Sequence, residues 1–127
     1  MDEASEYYPD QAGTIDDDYS LVIAFNIPEQ HLAIDFHAGK SPDDQDKKLG
    51  MDTIYVGRSD LGIGHYNGIK RLELLQDDTL LVELLTNISK DLMIANDFRI
   101  PFGHLQNHSE INLDISRLLT FAPLNKP

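Results

Sequence analysis

The sequence predicts an α+β fold in two layers, an antiparallel β-sheet meander with one short helix and a C-terminal helix packed on one face. Three observations predict it. Short apolar runs with period-two alternation recur from Ser20 to Phe102, divided by turn residues. The links between most of them are too short for the crossovers that parallel pairing requires. Near the C-terminus, Ile111, Ile115, Leu118 and Leu119 form an i, i+4, i+7, i+8 stripe, the apolar face of a helix lying on a sheet. A chain of 127 residues is long enough to bury one hydrophobic core.

Residues 1–18 carry many acids and no base, and Pro9 and Gly13 interrupt any regular pattern, so this segment is predicted to be a flexible acidic N-terminal arm. The α+β domain is expected over residues 19–127. Leu21-Val22-Ile23-Ala24-Phe25 is a strand that stops at Pro28, and Leu32, Ile34 and Phe36 alternate with polar residues as its hairpin partner. The polar stretch from Gly39 to Gly50 is a loop or short helical turn with a cluster of acids. Strand character resumes over Asp52-Thr53-Ile54-Tyr55-Val56-Gly57. Gly62 and Gly64 mark a turn before the run from Tyr66 to Leu75, and Asp77-Asp78 turns the chain into Leu80–Leu85. Thr86-Asn87 caps a short helix ending near Ile94. Phe98, Ile100 and Phe102 alternate in a further strand that Pro101 assigns to a sheet edge. The terminal helix is entered through Asn107 or Ser109, and the face of the sheet that it leaves uncovered is exposed.

Asp and Glu outnumber Lys and Arg by 22 to 10, a formal net charge of -12. Nucleic acid and acidic membrane surfaces are therefore disfavoured as partners, since both are bound through Lys and Arg. A basic protein is favoured, because complementary fields speed association. The chain has no cysteine, which excludes a disulfide, a thiolate zinc site and a cysteine nucleophile. The first residues lack the basic start and apolar core of a signal peptide, and no apolar run reaches the ~20 residues of a membrane span, so the cytoplasm is the expected location.

Catalytic motifs are missing: there is no Gly-rich phosphate loop, nucleophile elbow or His-Glu-x-x-His helix. The best metal candidate joins Asp35 and His37, alternate residues of one strand face, to Asp43, Asp44 and Asp46; a second pairs His104 with His108. Neither has a full ligand set, and ordinary surface histidines are the favoured reading. His65, beside Tyr66 in a Gly-rich turn, has no base, nucleophile and orienting partner around it. No cofactor and no catalytic residue is assigned, and an enzyme is not expected.

The segment Asp43-Asp44-Gln45-Asp46-Lys47-Lys48-Leu49-Gly50-Met51-Asp52-Thr53-Ile54-Tyr55, followed by Gly64-His65-Tyr66-Asn67-Gly68-Ile69, resembles immunity protein family ten of bacterial polymorphic toxin systems. That family's pattern is a D-x-Q-D and Leu-Gly-Met-Asp-Thr-Tyr run, a Tyr-Gly-Gly turn, a leucine-rich strand, a helix, an apolar strand and a terminal helix, and residues 43–119 follow this order. Ile54 intrudes before the aromatic, and Asn67 replaces the first glycine of the turn. The resemblance implies a protein that binds and neutralises a cognate toxin by direct protein–protein interaction, a basic toxin suiting the charge. On this reading Asp43, Asp44, Asp46 and Asp52 supply steering charges, and Tyr55 and Tyr66 anchor the interface. The plainer reading is that Asp43 to Asp46 cap a loop, Asp52 and Thr53 hold strand geometry, and Gly50, Gly64 and Gly68 serve turns. A self-associating scaffold subunit using the open sheet face is the main alternative and a small metal-dependent enzyme the lesser one; the oligomeric state is left open.

Overall fold

The computed structural model describes residues 5–124. In chain order these form β1 (Ser5–Glu6), β2 (Gln11–Asp16), β3 (Ser20–Ile27), a 3-10 turn (Pro28–Gln30), β4 (Leu32–Gly39), α1 (Asp44–Lys48), β5 (Tyr55–Arg58), β6 (Ile63–His65), β7 (Ile69–Leu75), β8 (Thr79–Leu84), α2 (Thr86–Leu92), β9 (Asp97–Pro101) and α3 (His108–Phe121). The fold is α+β, as the alternation predicts, but its strands divide into two sheets where one was expected. A five-stranded antiparallel sheet runs β2-β3-β4-β5-β6, and a four-stranded sheet runs β1-β9-β8-β7 with β1 parallel to β9.

The division falls at Tyr66-Asn67-Gly68. Asn67 takes a left-handed backbone with φ 60°, which redirects the chain between β6 and β7. Gly68 packs closely on the Ile88 side chain, and its carbonyl accepts the Leu85 amide at 3.0 Å. Each sheet keeps one apolar face, and the two faces share a continuous core: Leu21, Ile23 and Phe25 from β3, Ile34 and Phe36 from β4, Val82 from β8, Phe98 and Ile100 from β9. The α3 stripe closes it, with Ile111, Ile115 and Leu118 buried and the helix touching β2, β3, β4 and β7. Asn107 stands at the N-cap position but donates instead to the Ala12 carbonyl at 2.9 Å, tying the helix start to β2.

Two further expectations are corrected. From Ser5 onward the N-terminal segment is built into both sheets rather than forming a flexible arm; residues 1–4 lie outside the described residues. The Tyr7 ring stacks on Phe98 at 4.9 Å, its hydroxyl accepts the Ala95 amide at 3.0 Å, and His104 bonds the Pro9 carbonyl at 2.6 Å. Backbone pairing and one aromatic anchor hold this segment, where local composition signals only solvation. β9 is also not an edge strand along its length, because β1 pairs with Phe98 and Arg99; Pro101 lies beyond that short strand. Among the described residues, no helix is long and apolar enough to cross a membrane.

Candidate functional site

The outer face of the five-stranded sheet has an unusual composition for a face turned away from the core. Strand pairing sets Gly13, Ala24, Asp35, Gly57 and Gly64 in one row, and Ile15, Val22, His37 and Tyr55 in the next. The Tyr55 ring lies across Gly57 and Gly64, where a methyl group on either glycine would collide with it. Strand glycines normally weaken a sheet, and here they give an aromatic ring room to lie flat on it. Tyr55 is thereby wedged between His37, at 4.6 Å between ring centres, and Tyr66, at 5.2 Å. Burial first, then the Asp35 carboxylate and Tyr66, pushes the Tyr55 hydroxyl above its ordinary range, so it stays a neutral phenol.

Beside this aromatic row a cavity of about 370 Å³ opens between the β2–β3 turn, the end of β4, α1 and the loop before β7. Asp18 and Tyr19 contribute from the turn, His37 from β4, Asp46 from α1, Met51 from the following loop and Tyr66 from the loop before β7. Tyr19 is 83% exposed, and Leu49, Met51 and Tyr66 are exposed nearby. The turn carrying Tyr19 is held by Asp17, whose carboxylate accepts the Tyr19 and Ser20 amides at 2.8 Å each. Those amides keep the Asp17 carboxyl below its ordinary range. No Lys or Arg lines the cavity among the described residues. Lys40, close in sequence, turns away to the Asp16 carboxylate and the Asp17 carbonyl.

Of the residues singled out in the sequence, Asp46 and Tyr66 meet at this cavity and Tyr55 supports Tyr66 from behind. Asp43 caps α1: its carboxylate accepts the Asp46 amide at 2.8 Å, while the Asp46 carboxylate accepts the Asp43 amide at 3.2 Å, a reciprocal capping box. Asp44 is exposed on the first turn of α1, outside the lining. Asp52 is buried and does not line the cavity, so any contribution it makes to binding acts through the position of its turn. Thr53 is the clamp of that region, donating to the Gly50 carbonyl at 2.9 Å and accepting the Asn67 amide at 2.8 Å.

Asp35 and His37 bond each other directly; of the three acids joined to them in the sequence, Asp46 shares the cavity lining with His37, and Asp43 and Asp44 do not. His104 bonds the Pro9 carbonyl and His108 the Asp78 carboxylate at 2.6 Å, so this pair is engaged separately. Among the described residues, no group of three or more His, Asp or Glu side chains is placed to hold a metal ion. Sequence reasoning missed Asp18 and Tyr19; the run Asp16-Asp17-Asp18-Tyr19-Ser20 just before a strand is a signature of the Asx turn that presents them.

The family model described as Immunity protein 10 matches residues 4–110. The chain belongs to this family. The match spans every element that builds the cavity, together with both sheets. No curated protein and no solved structure matches the chain. Both departures from the expected Immunity protein 10 pattern have a structural place. Ile54 is fully buried and its amide donates to the Pro123 carbonyl at 2.9 Å. Asn67 occupies a left-handed position, where glycine fits best and Asn is among the best-tolerated alternatives.

Proposed function

We propose that this Immunity protein 10 member acts in the bacterial cytoplasm, where it neutralises a cognate toxin by direct binding through the acidic, tyrosine-lined cavity beside the five-stranded sheet. The observation that carries this reading is the convergence of Asp46 and Tyr66 on one open cavity flanked by exposed Tyr19 and Met51. Exposed aromatics with acidic neighbours are the make-up of an interface anchor, and tyrosine held by packing loses little freedom on binding. The net charge of -12 steers a basic partner toward the protein. Asp43 and Asp44, beside the cavity on the α1 end, contribute to steering, while Tyr55 keeps Tyr66 in place. Inhibition then needs a rigid surface and no chemistry.

The test is co-expression with a candidate cognate toxin. The reading predicts that cells survive only when both proteins are made and that the two co-purify as a stoichiometric complex. Neutralising Asp43 and Asp44 to Asn should slow association and flatten its salt dependence without changing the fold. Survival without any complex would overturn direct binding.

A further inference from the structure

We propose that the cavity is a receptor for a single arginine side chain projecting from the partner. The inference rests on the binding reading above and specifies its chemistry. Two acidic residues line the cavity, Asp18 from the β2–β3 turn and Asp46 from α1, and the tyrosines Tyr19 and Tyr66 line it with them. Asp46 uses Oδ2 for the Asp43 amide, which leaves Oδ1 for a ligand. His37 also lines the cavity, and its ring is bonded to the Asp35 carboxylate. Asp35 itself is 8% exposed, and its Oδ1 has no hydrogen-bond partner among the described residues. A buried carboxylate thus lies directly behind His37, one of the residues of the cavity lining.

The lining therefore combines acidic and aromatic residues, with Lys40 drawn off to Asp16. Its complement is a group that carries positive charge, donates in several directions and stacks on aromatic rings. The guanidinium of arginine meets all three requirements, whereas a lysine ammonium lacks the planar face. The open cavity suits a side chain entering from another protein, and the chain's acidity supplies the long-range attraction that brings such a group in.

The experiment is a titration of the ¹⁵N-labelled full chain with N-acetyl-argininamide, using N-acetyl-citrullinamide as the uncharged isostere. The arginine probe should shift the amides of the cavity residues, Tyr19, His37, Asp46 and Tyr66 among them, and bind roughly tenfold or more tightly than citrulline. Asp46→Asn and Tyr66→Leu, each with an otherwise native spectrum, should each abolish those shifts. Equal responses to arginine and citrulline, or shifts scattered over the acidic surface and unaffected by either variant, would overturn the proposal. The toxin assay separates this from failure of the parent reading. A wild-type protein that protects cells while failing to bind the arginine probe refutes the arginine receptor alone; a protein that does not protect refutes the parent reading whatever the titration shows.

Discussion

The two sheets turn very different outer faces to the surroundings. On the four-stranded sheet, Arg71, Glu83 and Asp97 lie in one row, and Glu73, Leu81, Arg99 and Glu6 in the next. Arg71 pairs with Glu73 at 2.7 Å and with Glu83 at 3.1 Å. On the five-stranded sheet the corresponding positions hold glycine, alanine, buried Asp35 and stacked rings. Both inner faces are alike, because both feed one core. The outer faces differ because one needs only to be wetted, while the other is shaped around Tyr55. The proposed binding face is thus the one that carries glycines and a buried carboxylate, rather than the one that shows the most charge.

The comparison can be broken from beneath. Leu118→Asp places a charge in the core that supports both faces, and should cost more than about 4 kcal/mol, read as loss of cooperative unfolding in a thermal melt. The next largest effect distinguishes the faces. Gly64→Ala puts a methyl group where the Tyr55 ring lies, so we expect about 2–3 kcal/mol of destabilisation by urea unfolding, with altered tyrosine fluorescence and loss of neutralisation. Thr53→Val removes the hydroxyl joining the Gly50 carbonyl to the Asn67 amide inside the protein. It should cost about 1–2 kcal/mol and loosen the loop carrying Tyr66, seen as faster amide exchange there. On the charged face, Arg71→Ala loses only exposed ion pairs and should change stability by less than about 1 kcal/mol, leaving neutralisation intact.

A smaller effect lies where β2 meets α3. Hydrogen bonds from Lys40, then from Arg117, hold the Asp16 carboxyl below its ordinary value of 3.8. The lowered value means that the folded state binds this proton less readily than the unfolded chain. The stabilisation is complete above the ordinary carboxylate value and is lost as pH falls through the lowered one. Asp16→Asn should therefore flatten the acid limb of the stability–pH curve, measured by urea unfolding at several pH values.

What the sequence made legible follows from how strongly each element depends on burial. The β3–β4 hairpin and the α3 stripe carry their periodicity openly, since every second or every third to fourth side chain is in the core. β2 was hidden because Gln11-Ala12-Gly13-Thr14-Ile15-Asp16 has little apolar content, and its pairing is supplied by the long edge of β3. β6 has the composition of a turn because Gly64 stands in it, and that glycine leaves room for a ring from the neighbouring strand. The division into two sheets falls at Tyr66-Asn67-Gly68, where Asn67 takes a left-handed backbone, and no periodicity reports it. Asp46 and Tyr66 were visible as members of a motif, but the cavity between them needs a turn from the start of the fold, which only the tertiary structure brings alongside.

The most direct test of the face assignment is neutralisation of the cognate toxin by two matched variants, Tyr66→Ala at the cavity and Arg71→Ala on the charged face, with folding of both confirmed by their melts. Tyr66→Ala is expected to lose protection and complex formation while Arg71→Ala retains both. Retained protection by Tyr66→Ala, with loss on the Arg71 side, would contradict it and move the interface to the four-stranded sheet.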